Sequence, residues 1–224
     1  MAQKPEVIYV GDPMCSWCWG LAPVMREIAE RTDVDVRVVV GGLRPGPNAQ
    51  RLDDRMRREL AHHWEKVATA SGQRFDTAVL ERQNWTYDTE LPSIAVTTMR
   101  RHAPTETLRF FTHLQQAFYA DAVDVTDPAQ YPGLLTSYAV DHEVFVEEML
   151  SDEARTRTWQ EFGEARELGV AGFPTVLLKI DGTTQVLSRG YAGQDYFDSV
   201  LAHWMEGRQS DTADTGVCSS DGTC

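Results

Sequence analysis

Cys15 and Cys18, separated by Ser16 and Trp17, are the residues of this chain best suited to chemistry. Two thiols at this spacing can close and reopen a disulfide: one attacks a partner, and the other attacks the mixed disulfide and releases it. The pair follows a strand-like apolar run, Val7-Ile8-Tyr9-Val10, and opens a helical pattern. At a helix start, free N–H groups and the positive end of the dipole favour a thiolate, the species that reacts. The same spacing also occurs as half of a zinc site, which would need two further ligands. The remaining cysteines, Cys218 and Cys224, lie in a polar tail and are spaced more widely than in zinc knuckles. Phe173-Pro174-Thr175, just ahead of a late strand pattern, adds context that favours the redox reading over metal binding.

The elements that must position these thiols read as two blocks of strand and helix around a helical segment. Glu6 to Val10 is a buried strand, and Gly11-Asp12-Pro13-Met14 is the connecting loop. Leu21, Val24, Met25, Ile28 and Ala29 recur at helical spacing, with Pro23 expected to kink the axis. Val34 to Val40 is a strand whose fully apolar end suits the middle of a covered sheet, and Gly41-Gly42 ends it. From about Gln50 to Leu168 the pattern is almost wholly helical. One stripe runs Leu52, Met56, Leu60, Trp64 and Val67 with Gly72 as its stop, and Ser93 is expected to cap a helix reaching Arg101. Leu108, Phe111, Leu114, Phe118 and Tyr119 mark another helix, and a last one carries Trp159 and Phe162 and ends near Gly169. Strand character returns at Thr175 to Ile180, Asp181-Gly182 signals a tight turn, and Gln185 to Arg189 pairs back. A final helix is expected from Asp195 to Glu206, followed by a polar, disordered tail.

Charge narrows the function. A net charge of −13 with no basic patch argues against nucleic acid and against an anionic membrane surface. No apolar run approaches the roughly 18 residues of a membrane span, and no signal-peptide core precedes the first strand. With Met1 in place, the expected location is the cytoplasm, where a CxxC is more often catalytic than structural.

These residues resemble the thioredoxin superfamily: a strand, Cys15-Ser16-Trp17-Cys18, a helix with Ala22-Pro23, and Phe173-Pro174-Thr175 before a strand pair. The long helical insertion is similar to the DsbA-like branch, and the segment from Gly11 to Gly20 is similar to its non-secreted FrnE-type members. The resemblance implies an α/β thioredoxin fold with a large helical domain inserted between the βαβ and ββα halves. Residues 1–48 and 169–207 would form the thioredoxin-like domain, 49–168 the inserted helical domain, and 208–224 a flexible cysteine-containing tail. It implies a cis Pro174 beside the CxxC, with Phe173 and Trp17 shaping the substrate groove. Cys15 and Cys18 would be catalytic, with no metal and no cofactor beyond the cysteines. Partners would be protein disulfides or dithiols, with a low-molecular-weight thiol to recycle the pair. Two departures stand out. Thioredoxins carry a buried carboxylate in the strand before the motif, whereas the inward residue here is Tyr9, with Asp12 in the loop. Strongly oxidising DsbA enzymes carry a His where this chain has Trp17, so the direction of electron flow stays open.

Other readings remain at this stage. Cys218 and Cys224 could close a small loop and serve as an auxiliary redox pair. Arg44, in the glycine-rich loop after the second strand, could meet an anionic thiol substrate. The six histidines show no metal-ligand spacing. Kappa-class glutathione transferases and related isomerases resemble the same architecture with a bound thiol cosubstrate. A non-enzymatic chaperone-like or zinc-holding module is the third reading.

Overall fold

The computed structural model describes residues 4–213. The chain forms two compact units that part after Tyr191. Among the described residues, the first holds both sheets and seven α-helices, and the second holds one α-helix.

The first unit is built on four strands. β1 (Glu6–Gly11) lies at the centre beside β2 (Asp35–Val40), β5 (Thr175–Ile180) and β6 (Thr183–Arg189), in the order β2-β1-β5-β6. β2 runs parallel to β1, which requires the crossover through α1 (Ser16–Glu30). β5 pairs antiparallel with β1, setting Tyr9 against Val38 on one side and Val176 on the other. Val7 to Val10 are all at most 1% exposed, because β1 is flanked by strands on both sides and covered on both faces. Asp181 and Gly182, with φ of 49° and 81°, close the β5–β6 hairpin as the Asp-Gly signal predicts.

β2 is an edge strand, not a mid-sheet one. Its apolar end is nevertheless buried, because helices cover its free side. Val40 N donates to Glu161 Oε1 at 2.7 Å, and Arg100 Nη2 donates to the Val38 carbonyl at 2.9 Å. Arg100 and Glu161 also pair with each other at 2.9 Å. Two outward backbone groups of the edge are thus satisfied by an ion pair rather than by a neighbouring strand.

Between β2 and β5 the chain is mostly helical, with one exception. Two-residue strands β3 (Gln50–Arg51) and β4 (Thr86–Tyr87) pair antiparallel, too short to show alternation in the sequence. α2 (Asp54–Ser71) is capped by Asp53, whose carboxylate accepts from Met56 N at 2.7 Å, and stops at Gly72 with φ 73°. α3 (Glu90–His102) has Thr89 at its N-cap position, not Ser93. Pro92 fits the first turn, and the Ser93 hydroxyl donates back to the Thr89 carbonyl at 2.7 Å from inside the helix. α4 (Thr107–Tyr119), α5 (Tyr131–Leu134), α6 (His142–Met149) and α7 (Asp152–Glu167) complete the block. Trp64, Phe75, Trp85, Tyr87, Phe118 and Tyr119 form one aromatic cluster, with ring centroids 4.8 to 6.0 Å apart.

In the second unit α8 (Gln194–Ala213) runs past the expected end at Glu206 and into the stretch expected to be disordered. Gly207 alone does not stop it, since a single interior glycine costs only about 1 kcal/mol and Arg208 and Gln209 are good helix formers. Tyr196 and Phe197 meet edge to face at 5.5 Å on its first turn. Cys218 and Cys224 lie outside the described residues. Among the described residues, no helix is long and apolar enough to cross a membrane.

Candidate active site

The loop between β1 and α1 is held by one carboxylate. Asp12 is fully buried and accepts from Met14 N at 2.8 Å through Oδ1 and from Leu43 N at 2.7 Å through Oδ2. It thereby ties the loop before the cysteines to the loop after β2. Burial pushes its carboxyl up to about 6, against the pull of those two N–H donors. Cys15 N donates to the Asp12 carbonyl at 3.0 Å, and Trp19 N donates to the Cys15 carbonyl at 3.0 Å as the first bond of α1. The Tyr87 hydroxyl also donates to the Met14 carbonyl. Five bonds therefore fix the backbone that presents Cys15.

Cys15 occupies the N-cap of α1, with φ −94° and ψ 117°, and is 7% exposed. The first turn carries no acidic side chain and no side-chain cap. Its N–H groups remain available to an anion at the Cys15 sulfur. Cys18 lies one turn deeper, fully buried. Burial and then the neighbouring Cys15 push the Cys18 thiol well above its ordinary range. Both thiols are free, so this is the reduced state of the pair.

Across from Cys15 stands the start of β5. The Phe173–Pro174 bond is cis, as the resemblance implies, and Cys15 Sγ donates to the Phe173 carbonyl at 3.6 Å. The Phe173 ring packs over Gly41, where a Cβ would stand only 2.0 Å from its Cε1. Gly41 is thus the residue that lets the ring lie down beside the site. Gly11 plays a similar part below, where a Cβ would come within 3.1 Å of Cys18 Sγ.

Over Cys15 opens a groove of about 440 Å³, walled by Trp17, Arg44, Leu60, His63, Tyr87 and Phe173. Trp17 is half-buried, 5.6 Å from the Tyr191 ring and edge-on to His63 at 5.9 Å. Arg44 lies over the Tyr87 ring at 5.2 Å and bonds Gln50 Oε1 at 3.1 Å. Burial, then Lys66 and Arg44, holds His63 below its usual range, which favours the neutral imidazole. A larger cavity of about 540 Å³ lies at α1 and α4 beside Arg26, Arg109, His113 and Tyr138. Its lining holds no cysteine, whereas the smaller groove holds Cys15.

The structure brings together Cys15, Cys18, Trp17, Phe173 and Pro174 from segments over 150 residues apart in sequence. It also brings in residues the sequence reading passed over. His63 and Glu59 sit beside the Met56-Leu60-Trp64 stripe and line the same groove. That stripe, followed one position to its side, was the available signal. The burial of Asp12 had none, because its second donor is Leu43, 31 positions away.

"ClpXP adapter protein SpxH" of Bacillus licheniformis is 26% identical over 177 residues, covering 78% of this chain. The chain spans 58% of that relative's length. A candidate protein disulfide isomerase from Nitrosomonas europaea is 29% identical, covers 92% of this chain and 99% of its own, and superposes with a TM-score of 0.80. The cytosolic disulfide reductase DsbM from Pseudomonas aeruginosa, also solved with GSH, shares the fold at a TM-score of 0.76 and 23% identity, covering 90% of this chain and 98% of its own. The thioredoxin family model matches residues 8–185, most of the chain, with both cysteines and Pro174 inside the match. On that match, this chain belongs to the thioredoxin family.

Proposed function

We propose that this chain is a thiol–disulfide oxidoreductase acting on protein disulfides and dithiols through Cys15 and Cys18. One observation carries the reading: Cys15 sits at a helix N-cap, on the floor of a groove, against the carbonyl that precedes Pro174, with a second free thiol one turn behind it. The Cys15 thiolate attacks a partner disulfide, joins one sulfur and expels the other as a thiolate. Cys18 then attacks Cys15 Sγ, the partner sulfur leaves with the bonding pair and a proton, and the cysteines end as a disulfide. Two electrons have passed to the partner. Run in reverse, the same steps oxidise a partner dithiol, and paired in sequence they isomerise. Phe173 and Pro174 hold the partner backbone, and Trp17 gives it an aromatic wall.

A low-molecular-weight thiol recycles the pair in this reading. Arg44 is the cation that would meet its carboxylates in the groove, and the DsbM structure solved with GSH supports a thiol of that kind. The location follows as cytoplasmic, in keeping with the cytosolic DsbM. Cys218 and Cys224 are proposed as an auxiliary pair that exchanges with Cys15.

The test is dithiothreitol-driven reduction of insulin by wild type, Cys15→Ala and Cys18→Ser. Wild type should be active and Cys15→Ala inactive, and Cys18→Ser should accumulate a mixed disulfide on Cys15 visible by mass spectrometry. An inactive wild type, or an unaffected Cys15→Ala, overturns the proposal. The match to an adapter protein favours a second reading, in which the same groove binds a protein partner without turnover. In that case binding would survive Cys15→Ala.

A further inference from the structure

β1 places Tyr9 directly beneath the cysteine pair. The side chain is 1% exposed, and its ring meets Phe111 edge to face at 5.4 Å. Its hydroxyl donates to the Cys18 carbonyl at 3.3 Å, a long bond that leaves room for a better acceptor. Cys18 Sγ and Tyr9 Cζ each lie 3.1 Å from the place a Cβ on Gly11 would occupy, so sulfur and phenol share one small space. Behind them is Gln115 of α4, wholly buried, with no hydrogen bond of ordinary geometry, its carboxamide beside the Tyr9 hydroxyl.

The resolving step needs Cys18 as an anion in this closed space, and burial opposes that. The groups facing the sulfur are Cys15, the Asp12 backbone N–H and Tyr9. The Asp12 carboxylate is engaged by Met14 N and Leu43 N. Burial and the adjacent Cys18 hold the phenol protonated, so Tyr9 is a donor at any working pH. We propose that the Tyr9 hydroxyl turns from the Cys18 carbonyl to the Cys18 sulfur and stabilises its thiolate during the resolving attack. Gln115 bonds the phenol oxygen as it turns. In that step the Cys18–Cys15 bond forms and the bond from Cys15 to the partner sulfur breaks. The partner sulfur takes the bonding pair and the proton that Cys18 gave up. Tyr9 keeps its own proton throughout. The inference deepens the oxidoreductase reading and rests on it.

Dipyridyl disulfide tests it on the full chain. Attack by Cys15 releases a first thiopyridone, and resolution by Cys18 releases a second. Phases that persist in Cys15→Ser belong to the tail thiols. In Tyr9→Phe the first phase reports an intact site, while the second should slow about 10- to 100-fold, the worth of a hydrogen bond to a charged group. Its pH midpoint should move up. A ring-fluorinated tyrosine at position 9, a stronger donor, should move that midpoint down. Tyr9→Phe resolving at the wild-type rate and midpoint overturns the inference and leaves the oxidoreductase reading standing. So does a midpoint that moves the same way in both variants, which would mean a packing role only. Should wild type show no second phase beyond that of Cys18→Ser, the oxidoreductase reading falls as well.

Discussion

Gly41→Ala should damage the site through one contact. Its Cβ would stand 2.0 Å from Phe173 Cε1 and 2.2 Å from Cζ, against the roughly 3.5–4.0 Å of ordinary carbon contact. The ring must therefore retreat by about 1.5 Å. It has little freedom to do so, because it packs on the cluster of Ile8, Val10, Val39, Val170 and Leu177. Overpacking of this kind costs about 1–3 kcal/mol. The backbone at Gly41 is not left-handed, so alanine brings no strain of its own and offsets the loss by about 0.4–1 kcal/mol through the unfolded chain. Function should suffer more than stability. The Phe173 carbonyl is the group that faces Cys15 Sγ, and a displacement of about 1 Å at a reacting centre can cost on the order of 100-fold in rate. Urea unfolding and insulin reduction measure the two effects. The decisive control is the same substitution in a Phe173→Ala background, where no ring remains to collide. There Gly41→Ala should cost less than about 0.5 kcal/mol, the range expected of uncoupled sites. An equal cost in both backgrounds would refute the contact argument, as would a Gly41→Ala chain with normal midpoint and normal turnover.

Two further outcomes follow from the buried charges. Asp12 is raised from 3.8 to about 6 by burial, so between those values the folded chain binds a proton that the unfolded chain has lost. Its contribution to stability is full below about pH 4 and falls by about 3 kcal/mol as pH rises through 6; the difference between wild type and Asp12→Asn, measured by urea unfolding across that range, should show this fall, and a flat difference would contradict it. Glu161→Ala should destabilise by about 1–3 kcal/mol because Val40 N loses its acceptor, while Glu161→Gln, which keeps an acceptor oxygen, should lose less; equal losses in the two would deny the edge bond its role.

The local chemistry was legible in the sequence because it is local. An apolar run, a four-residue loop and a CxxC opening a helix specify one another without distant help, and the Asp181-Gly182 turn needs only its own φ angles. What stayed hidden depended on partners far along the chain. The composition of β2 reports burial, and Val38 to Val40 are buried, but burial came from Arg100 and Glu161 rather than from a central position. Ser93 looked like a cap because the residue type is right; Thr89 holds the position, with Pro92 after it, so the serine points inward. β3 and β4 contain two residues each and carry no period to read. In the site, the CxxC and Phe173-Pro174 were visible as motifs, whereas the burial of Asp12 and the wall at His63 follow from tertiary placement alone.

The covered edge of β2 also bears on how this protein meets other chains. An open strand edge is a template on which any extended polypeptide can add itself, and the proposed substrates of this chain include proteins that expose such segments. With Arg100 and Glu161 occupying the Val38 C=O and the Val40 N–H, a visiting strand finds two groups of that edge already engaged. The other edge, β6, begins with Thr183-Thr184-Gln185, exposed and polar, a poor seed for stacking. On the proposed function, a protein partner in extended form would thus find the β2 margin occupied at Val38 and Val40, so the ion pair that finishes the sheet would also discourage its addition there.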